Sequence, residues 1–213
     1  MGKTRIIMII LILCSFIVSF YAYPLLPDQI ASHWNAAGVA DAYSSKDFTL
    51  FLIPVLNLVI LGVVLIIPRI DPLKRNLQKF IKYYKMFFIA FFVFMLYIQI
   101  LTVAQNMGYA FNMTYAIIPG MSILFYFIGF ILNKTERNWF IGIRTPWTLS
   151  SDRVWKKTHE LASKTFKAGA FLTLLTLLLG EKGVMVAVGI LLVAALIPVF
   201  YSYFEYRKEK GSY

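Results

Sequence analysis

The sequence predicts an all-α integral membrane protein: a six-span helical bundle with a small extracytoplasmic cap and an amphipathic helix at the cytoplasmic surface. Three observations carry this. Of the 213 residues 60% are hydrophobic and the mean hydropathy is +0.72, more apolar side chain than a soluble fold of this size buries. The apolar residues gather into six runs, 6–22, 48–67, 86–104, 113–132, 166–180 and 184–203, most of them near the roughly 20 residues that cross ~30 Å of hydrocarbon. Of the 21 lysines and arginines, only Lys46 and Lys182 fall on one side of a six-span path, and the remaining nineteen fall on the other. Basic residues accumulate in cytoplasmic segments, so both termini and the segment 133–167 are expected inside. The net charge of +11 therefore reads as topology, with attraction to anionic lipid of ~1 kcal/mol per basic residue near the surface.

The run 6–22, preceded by Lys3 and Arg5, is too long for a signal-peptide core and lacks a small-x-small cleavage site before Pro24, so it reads as an uncleaved first span. The single cysteine, Cys14, lies inside it, which excludes a disulfide framework within the chain. In the outer loop 23–47, residues 30–34 and 39–43 can pair as strands across the turn Asn35-Ala36-Ala37-Gly38, giving a β-hairpin cap. Ser44 and Asp47, three apart, offer a capping box for the second span. Asp28, His33 and Asp41 are outer-loop candidates for ligand binding, but they lack metal-ligand spacing; the plainer reading is a surface histidine hydrogen-bonded within its loop. The basic connection 69–85 opens on Asp71-Pro72 and should turn helical before the third span. Pro54, Pro119 and Pro198 lie inside spans two, four and six, where a missing N–H should kink or loosen the helix. The chain divides on this reading into a two-span region, 1–85, and a four-span region, 86–213.

The segment 133–167 is the longest polar stretch. Gly142-Ile143-Arg144-Thr145-Pro146-Trp147 is turn-prone, since glycine permits positive φ and Pro146 restricts Thr145. From Ser151, an N-cap residue with Asp152 in the first turn, the residues sort around a helix. Leu161, Val154, Thr165, Thr158, Ala162, Trp155 and Phe166 form one arc; His159, Ser163, Lys156, Lys167, Glu160, Lys164 and Lys157 form the other. Such a helix either lies in the membrane interface or packs on its own bundle. The fifth run is short, and it crosses only if this helix continues into it or if Lys164, Lys167 and Lys182 snorkel. Arg144 can present its fork to a phosphate, a helix C-terminus or an acidic patch, or it can snorkel beside a belt of Trp139, Phe140 and Trp147.

The hydrocarbon-level stretches hold no Asp, Glu, Lys, Arg or His, which disfavours a proton-coupled pump. Asn57, Gln99, Thr102, Thr173 and Thr176 read as helix-bridging groups. No zinc-protease, serine-hydrolase or phosphate-loop motif is present, so the expectation is a non-enzyme without cofactor or metal. Transport or export of a peptide or small amphiphile is the competing function.

The residues Asn138-Trp139-Phe140-Ile141-Gly142-Ile143-Arg144-Thr145-Pro146-Trp147-Thr148-Leu149-Ser150, followed by Trp155 and Thr158-His159, resemble the signature of the SdpI family of bacterial membrane proteins. Leu26-Pro27-Asp28-Gln29-Ile30, with His33, Gly38, Lys46 and Pro54, resembles an uncharacterised domain that often precedes it. The resemblance implies a six-span plasma-membrane protein with an immunity role. It would protect the cell against a secreted antimicrobial peptide toxin and signal by holding a small winged-helix transcription repressor at the membrane. Expected partner-binding residues are then Asn138, Gly142, Arg144, Thr145, Pro146, Trp147, Trp155 and His159. The expected partners are the lipid bilayer, the toxin and the repressor, with no direct nucleic-acid contact.

Overall fold

The computed structural model describes residues 2–211. Among these residues, six helices are long and apolar enough to cross a membrane. They are α1 (Lys3–Ala22), α2 (Lys46–Ile70), α4 (Ile81–Asn106), α5 (Met113–Leu132), α7 (Asp152–Leu175) and α8 (Gly183–Lys210). The short α3 (Lys74–Lys79) and α6 (Pro146–Ser150) lie in connections at one end of the bundle, and the hairpin β1 (Gln29–Trp34) and β2 (Ala40–Ser45) lies at the other. Helices suit this setting because each satisfies its own backbone groups where no water can. Their outward faces carry exposed Ile17, Leu58, Ile123, Leu192 and Phe200. The chain is a multi-pass membrane protein.

Helices α1, α2 and α4 pack around Met8, Ile12, Val64, Tyr84 and Phe92, while α5, α7 and α8 form a second set, and α4 against α5 joins the two. In the first set, Gln99 of α4 ties the helices together. Its Oε1 accepts from Ser15 Oγ, and its Nε2 donates to Ser19 Oγ at 2.8 Å and to Ser15 O at 3.0 Å. Ser19 Oγ in turn donates to Leu50 O of α2 at 2.6 Å. Gln99 is thus the helix-bridging group that its position predicts, whereas the Thr176 hydroxyl turns back to Thr173 O at 2.7 Å. The helices continue through Pro54, Pro119 and Pro198.

The helix expected from Ser151 begins there, with Ser151 Oγ accepting from Val154 N at 3.2 Å. It runs unbroken to Leu175, so the amphipathic stretch and the fifth span are one helix. Of its two expected placements, packing on the bundle is the one observed, because Val154, Trp155, Thr158 and Ala162 are buried and α7 packs along both α5 and α8. The expected polar arc is corrected at His159 and Ser163, which are 1% and 4% exposed. A helix lying on one surface has two faces, but α7 is enclosed by α5, α8 and the loop before α6, so more of its circumference is covered. Close approach makes this possible: a Cβ on Gly169 would stand 2.9 Å from that of Ala194 on α8.

The strands pair antiparallel as expected, from Gln29 opposite Ser45 to Trp34 opposite Ala40, with an irregularity around His33. The cap of α2 is corrected by one residue. Ser45, the last residue of β2, accepts from Phe48 N at 3.4 Å, while the Ser44 hydroxyl is taken by Ser32 Oγ across the hairpin at 3.0 Å. Asn106 at the end of α4 anchors the hairpin by grasping both backbone groups of Ala31, at 2.7 and 3.0 Å.

Candidate functional site

At the end opposite the hairpin, residues 133–151 fold without a long regular element, so each buried backbone group needs a specific partner. Asn138, 0% exposed, supplies four. Its Nδ2 donates to Glu136 O and Ile141 O at 2.9 and 2.8 Å, and its Oδ1 accepts from Phe140 N and Ile141 N at 2.9 and 2.7 Å. Asp71, buried in the connection after α2, accepts from Trp139 N at 3.2 Å, and Asn76 Nδ2 donates to Arg137 O at 3.0 Å. These bonds fasten the loop to the first set of helices.

The loop then presses onto α7. The Trp155 ring stacks on that of His159, with centroids 4.1 Å apart, and its Nε1 donates to Thr135 O at 3.1 Å. His159 Nε2 accepts from Ile143 N at 3.0 Å. Gly142 passes over these rings with φ 112°; a Cβ there would lie 2.4 Å from His159 Nε2 and 3.1 Å from Trp155 Cζ2. Only glycine satisfies both the conformation and the space.

Thr145 then starts α6 with a capping box: its Oγ1 accepts from Thr148 N at 3.1 Å, and its own N–H donates to Thr148 Oγ1 at 2.9 Å. Thr145 Oγ1 also meets Ser202 Oγ of α8 at 3.0 Å. Arg137 closes the assembly, with Nε to Asp152 Oδ1 at 2.6 Å and Nη1 to Leu149 O at 2.7 Å. Beside it Glu205, 3% exposed, holds Lys157 Nζ at 2.7 Å and Arg153 at 3.6 Å.

The expected partner-binding residues therefore separate into two kinds. Asn138, Thr145, Trp155 and His159 are buried and, with Gly142, build the loop's shape. Arg144 and Pro146 are exposed, and Trp147 is half-buried with its ring edge-on to Tyr203 at 5.0 Å. Arg144 Nη1 donates to Trp139 O at 2.6 Å, which brings an exposed guanidinium alongside the 48%-exposed Trp139. Sequence reasoning missed Asp71, Arg137, Thr148 and Glu205. Asp71 carries a faint signal as the one acid in the basic stretch 69–85. Glu205 carries none, since its charged partners Arg153 and Lys157 lie in another helix.

At the hairpin end, His33 Nδ1 pairs with Asp41 Oδ1 at 2.6 Å, whereas Asp28 pairs with Lys46 at 3.0 Å. The three outer-loop candidates are not brought together, and among the described residues no group of three metal-ligating side chains converges. Beneath the hairpin lies a cavity of about 430 Å³ walled by Trp34, Phe48, Thr49, Ile53, Thr102 and Met113. A second, of about 280 Å³, opens across Trp34 toward Val184 and Val188 of α8. His33 borders both. Trp34 Nε1 and Thr49 Oγ1 are buried without a hydrogen-bond partner among the described residues. These are mainly apolar spaces, suited to the apolar side of an amphiphilic ligand.

The SdpI/YfhL protein family model matches residues 134–202, the loop through most of α8. A domain of unknown function (DUF1648) matches residues 10–58, which include the hairpin. The immunity protein SdpI of Bacillus subtilis (strain 168) is 30% identical over 211 residues, 99% of this chain and 99% of that protein. No solved structure matches the chain.

Proposed function

The chain belongs to the SdpI/YfhL protein family, and from that membership we propose that it is a membrane immunity protein, protecting its cell against a secreted antimicrobial peptide toxin. The observation that carries the reading is the end-to-end likeness to a protein named for immunity, 30% identical over 99% of both chains. The protein sits in the plasma membrane with both termini and the loop end in the cytoplasm; nineteen of 21 basic residues on that side support this orientation. The hairpin then faces outward, and the apolar cavities around Trp34 receive an amphipathic peptide.

The same reading extends to signalling. Peptide under the hairpin changes how α5 and α8 meet at their outer ends, and α7, packed along both, carries the change to its contact with Gly142. The exposed Trp139, Arg144 and Pro146, with Trp147 beside them, form the face that holds a winged-helix repressor at the membrane. The buried Asn138, Gly142, Thr145, Trp155 and His159 set its shape.

The test is expression in a toxin-sensitive host challenged with the peptide, alongside a fluorescently tagged repressor. Survival above the empty-vector control is expected, with repressor moving to the membrane. Normally inserted protein that gives no protection overturns the immunity reading. Protection with Trp139→Ala and Arg144→Ala leaving recruitment unchanged overturns the docking face.

A further inference from the structure

A third cavity, at the loop end, has a different character. About 280 Å³ of space opens between the first turns of α1, the last turn of α2 and the start of α4. Its lining is mixed: Met8, Val64 and Ile81 give it an apolar wall, and Arg5, Arg69 and Lys85 stand around it. All three cations are exposed. Among the described residues none of them has a carboxylate within ion-pair distance, in contrast to Arg137, Arg153 and Lys157 nearby, which are each paired. Arg69 Nη1 donates to Leu65 O at 2.7 Å, which steadies its guanidinium near the apolar wall and leaves further N–H groups for a ligand.

We propose that this cavity binds one anionic phospholipid, its phosphate held by Arg5, Arg69 and Lys85 and the first methylenes of its acyl chains against Met8, Val64 and Ile81. The placement matches the ligand end to end. The three cations sit at helix ends, where headgroups lie, and the apolar wall runs from there toward the hydrocarbon. Guanidinium and ammonium groups together suit a phosphate ester, the arginines by their fork geometry and the lysine as a point charge. Arg69 and Lys85 belong to different helices from Arg5, so the lipid also bridges α1, α2 and α4. The site is independent of the immunity reading.

The test uses the full chain in neutral detergent, incubated with equal amounts of phosphatidylglycerol and phosphatidylcholine and examined by native mass spectrometry for retained lipid. Phosphatidylglycerol should be retained at least about ten-fold over phosphatidylcholine, and Arg5→Gln/Arg69→Gln/Lys85→Gln should abolish the preference. A control removing the same charge elsewhere at this end, Lys74→Gln/Lys156→Gln/Lys164→Gln, should keep it; all six side chains are exposed, so both variants should fold. Equal retention of the two lipids, or equal loss in both variants, overturns the site. Displacement of the lipid by inorganic phosphate as readily as by short-chain phosphatidylglycerol shows a free-anion site and overturns the lipid assignment.

Discussion

His159 Nε2 accepts the backbone N–H of Ile143 at 3.0 Å, so an imidazole on α7 terminates a loop 16 residues earlier in the chain. Its other nitrogen faces Trp155 O at 2.8 Å and must donate, which places the ring proton on Nδ1. One ring thus serves as acceptor for the loop, donor to its own helix and stacking surface for Trp155.

Replacing it tests that arrangement. His159→Ala removes the acceptor of the part-buried Ile143 N–H and should cost about 1–3 kcal/mol, read as a lower unfolding temperature in detergent. His159→Gln, whose amide oxygen can accept the same N–H, should recover part of the loss. Equal melting of the alanine variant and the parent would mean the loop is held by other bonds.

Gly142 is more constrained than its neighbour. Gly142→Ala meets both the positive φ and a ring nitrogen 2.4 Å from the new methyl, so strain of about 1–3 kcal/mol should loosen the loop and speed tryptic cleavage after Arg144. Gly62→Ala is the control: it lies in α2 with nothing within 4 Å of the new Cβ. It should leave cleavage unchanged and stability equal or slightly higher.

The carboxylate of Glu205 is buried while Lys157 is 43% exposed. Lys157→Ala should therefore cost more than the ~0–1 kcal/mol of a surface pair and less than the ~3–5 kcal/mol of a fully buried one broken on one side. Adding Glu205→Gln should restore part of the stability by removing a buried carboxylate left with only Arg153 at 3.6 Å and the Tyr201 hydroxyl at 3.2 Å. Strictly additive losses in a double-mutant cycle would exclude the coupling.

Gln99 joins α1 and α4 in the hydrocarbon-level part of the bundle, and through Ser19 reaches α2. Gln99→Leu should lower stability by roughly 0.6–2 kcal/mol, the range for hydrogen bonds between membrane helices. A thermal shift indistinguishable from that of a lipid-facing substitution such as Ile123→Ala would assign the bridge no net value.

Orientation is checked by thiol labelling in a Cys14→Ser background. Cysteine in place of Ala36, in the hairpin turn, should react with an impermeant maleimide in intact cells. Cysteine in place of Ser150, at the end of α6, should react only after permeabilisation. Labelling of both positions from the same side would contradict the charge-derived topology.

The number of spans, the hairpin and the Ser151 cap were readable because each depends on residues adjacent in the chain. Hydropathy accumulates over consecutive residues, and a turn or cap needs three or four. The signature loop was visible as a run of special residues, yet the separation of its members into buried builders and exposed presenters was not. Trp155 and His159, four residues apart, straddle the boundary between the apolar and polar arcs, and His159 is buried because the loop adds a third neighbour to α7.

By itself, the sequence determined an up-and-down apolar bundle with its cations gathered at one end, since solvation by lipid or water acts on each residue where it stands. Tertiary structure decided what depends on meetings across the chain: Asp71 with Trp139, 68 residues apart, Thr145 with Ser202, 57 apart, and the three cations gathered around one cavity. Local pattern cannot choose among the many partners that packing makes available, because a buried polar group is satisfied by whichever complementary atom the fold brings within about 3 Å.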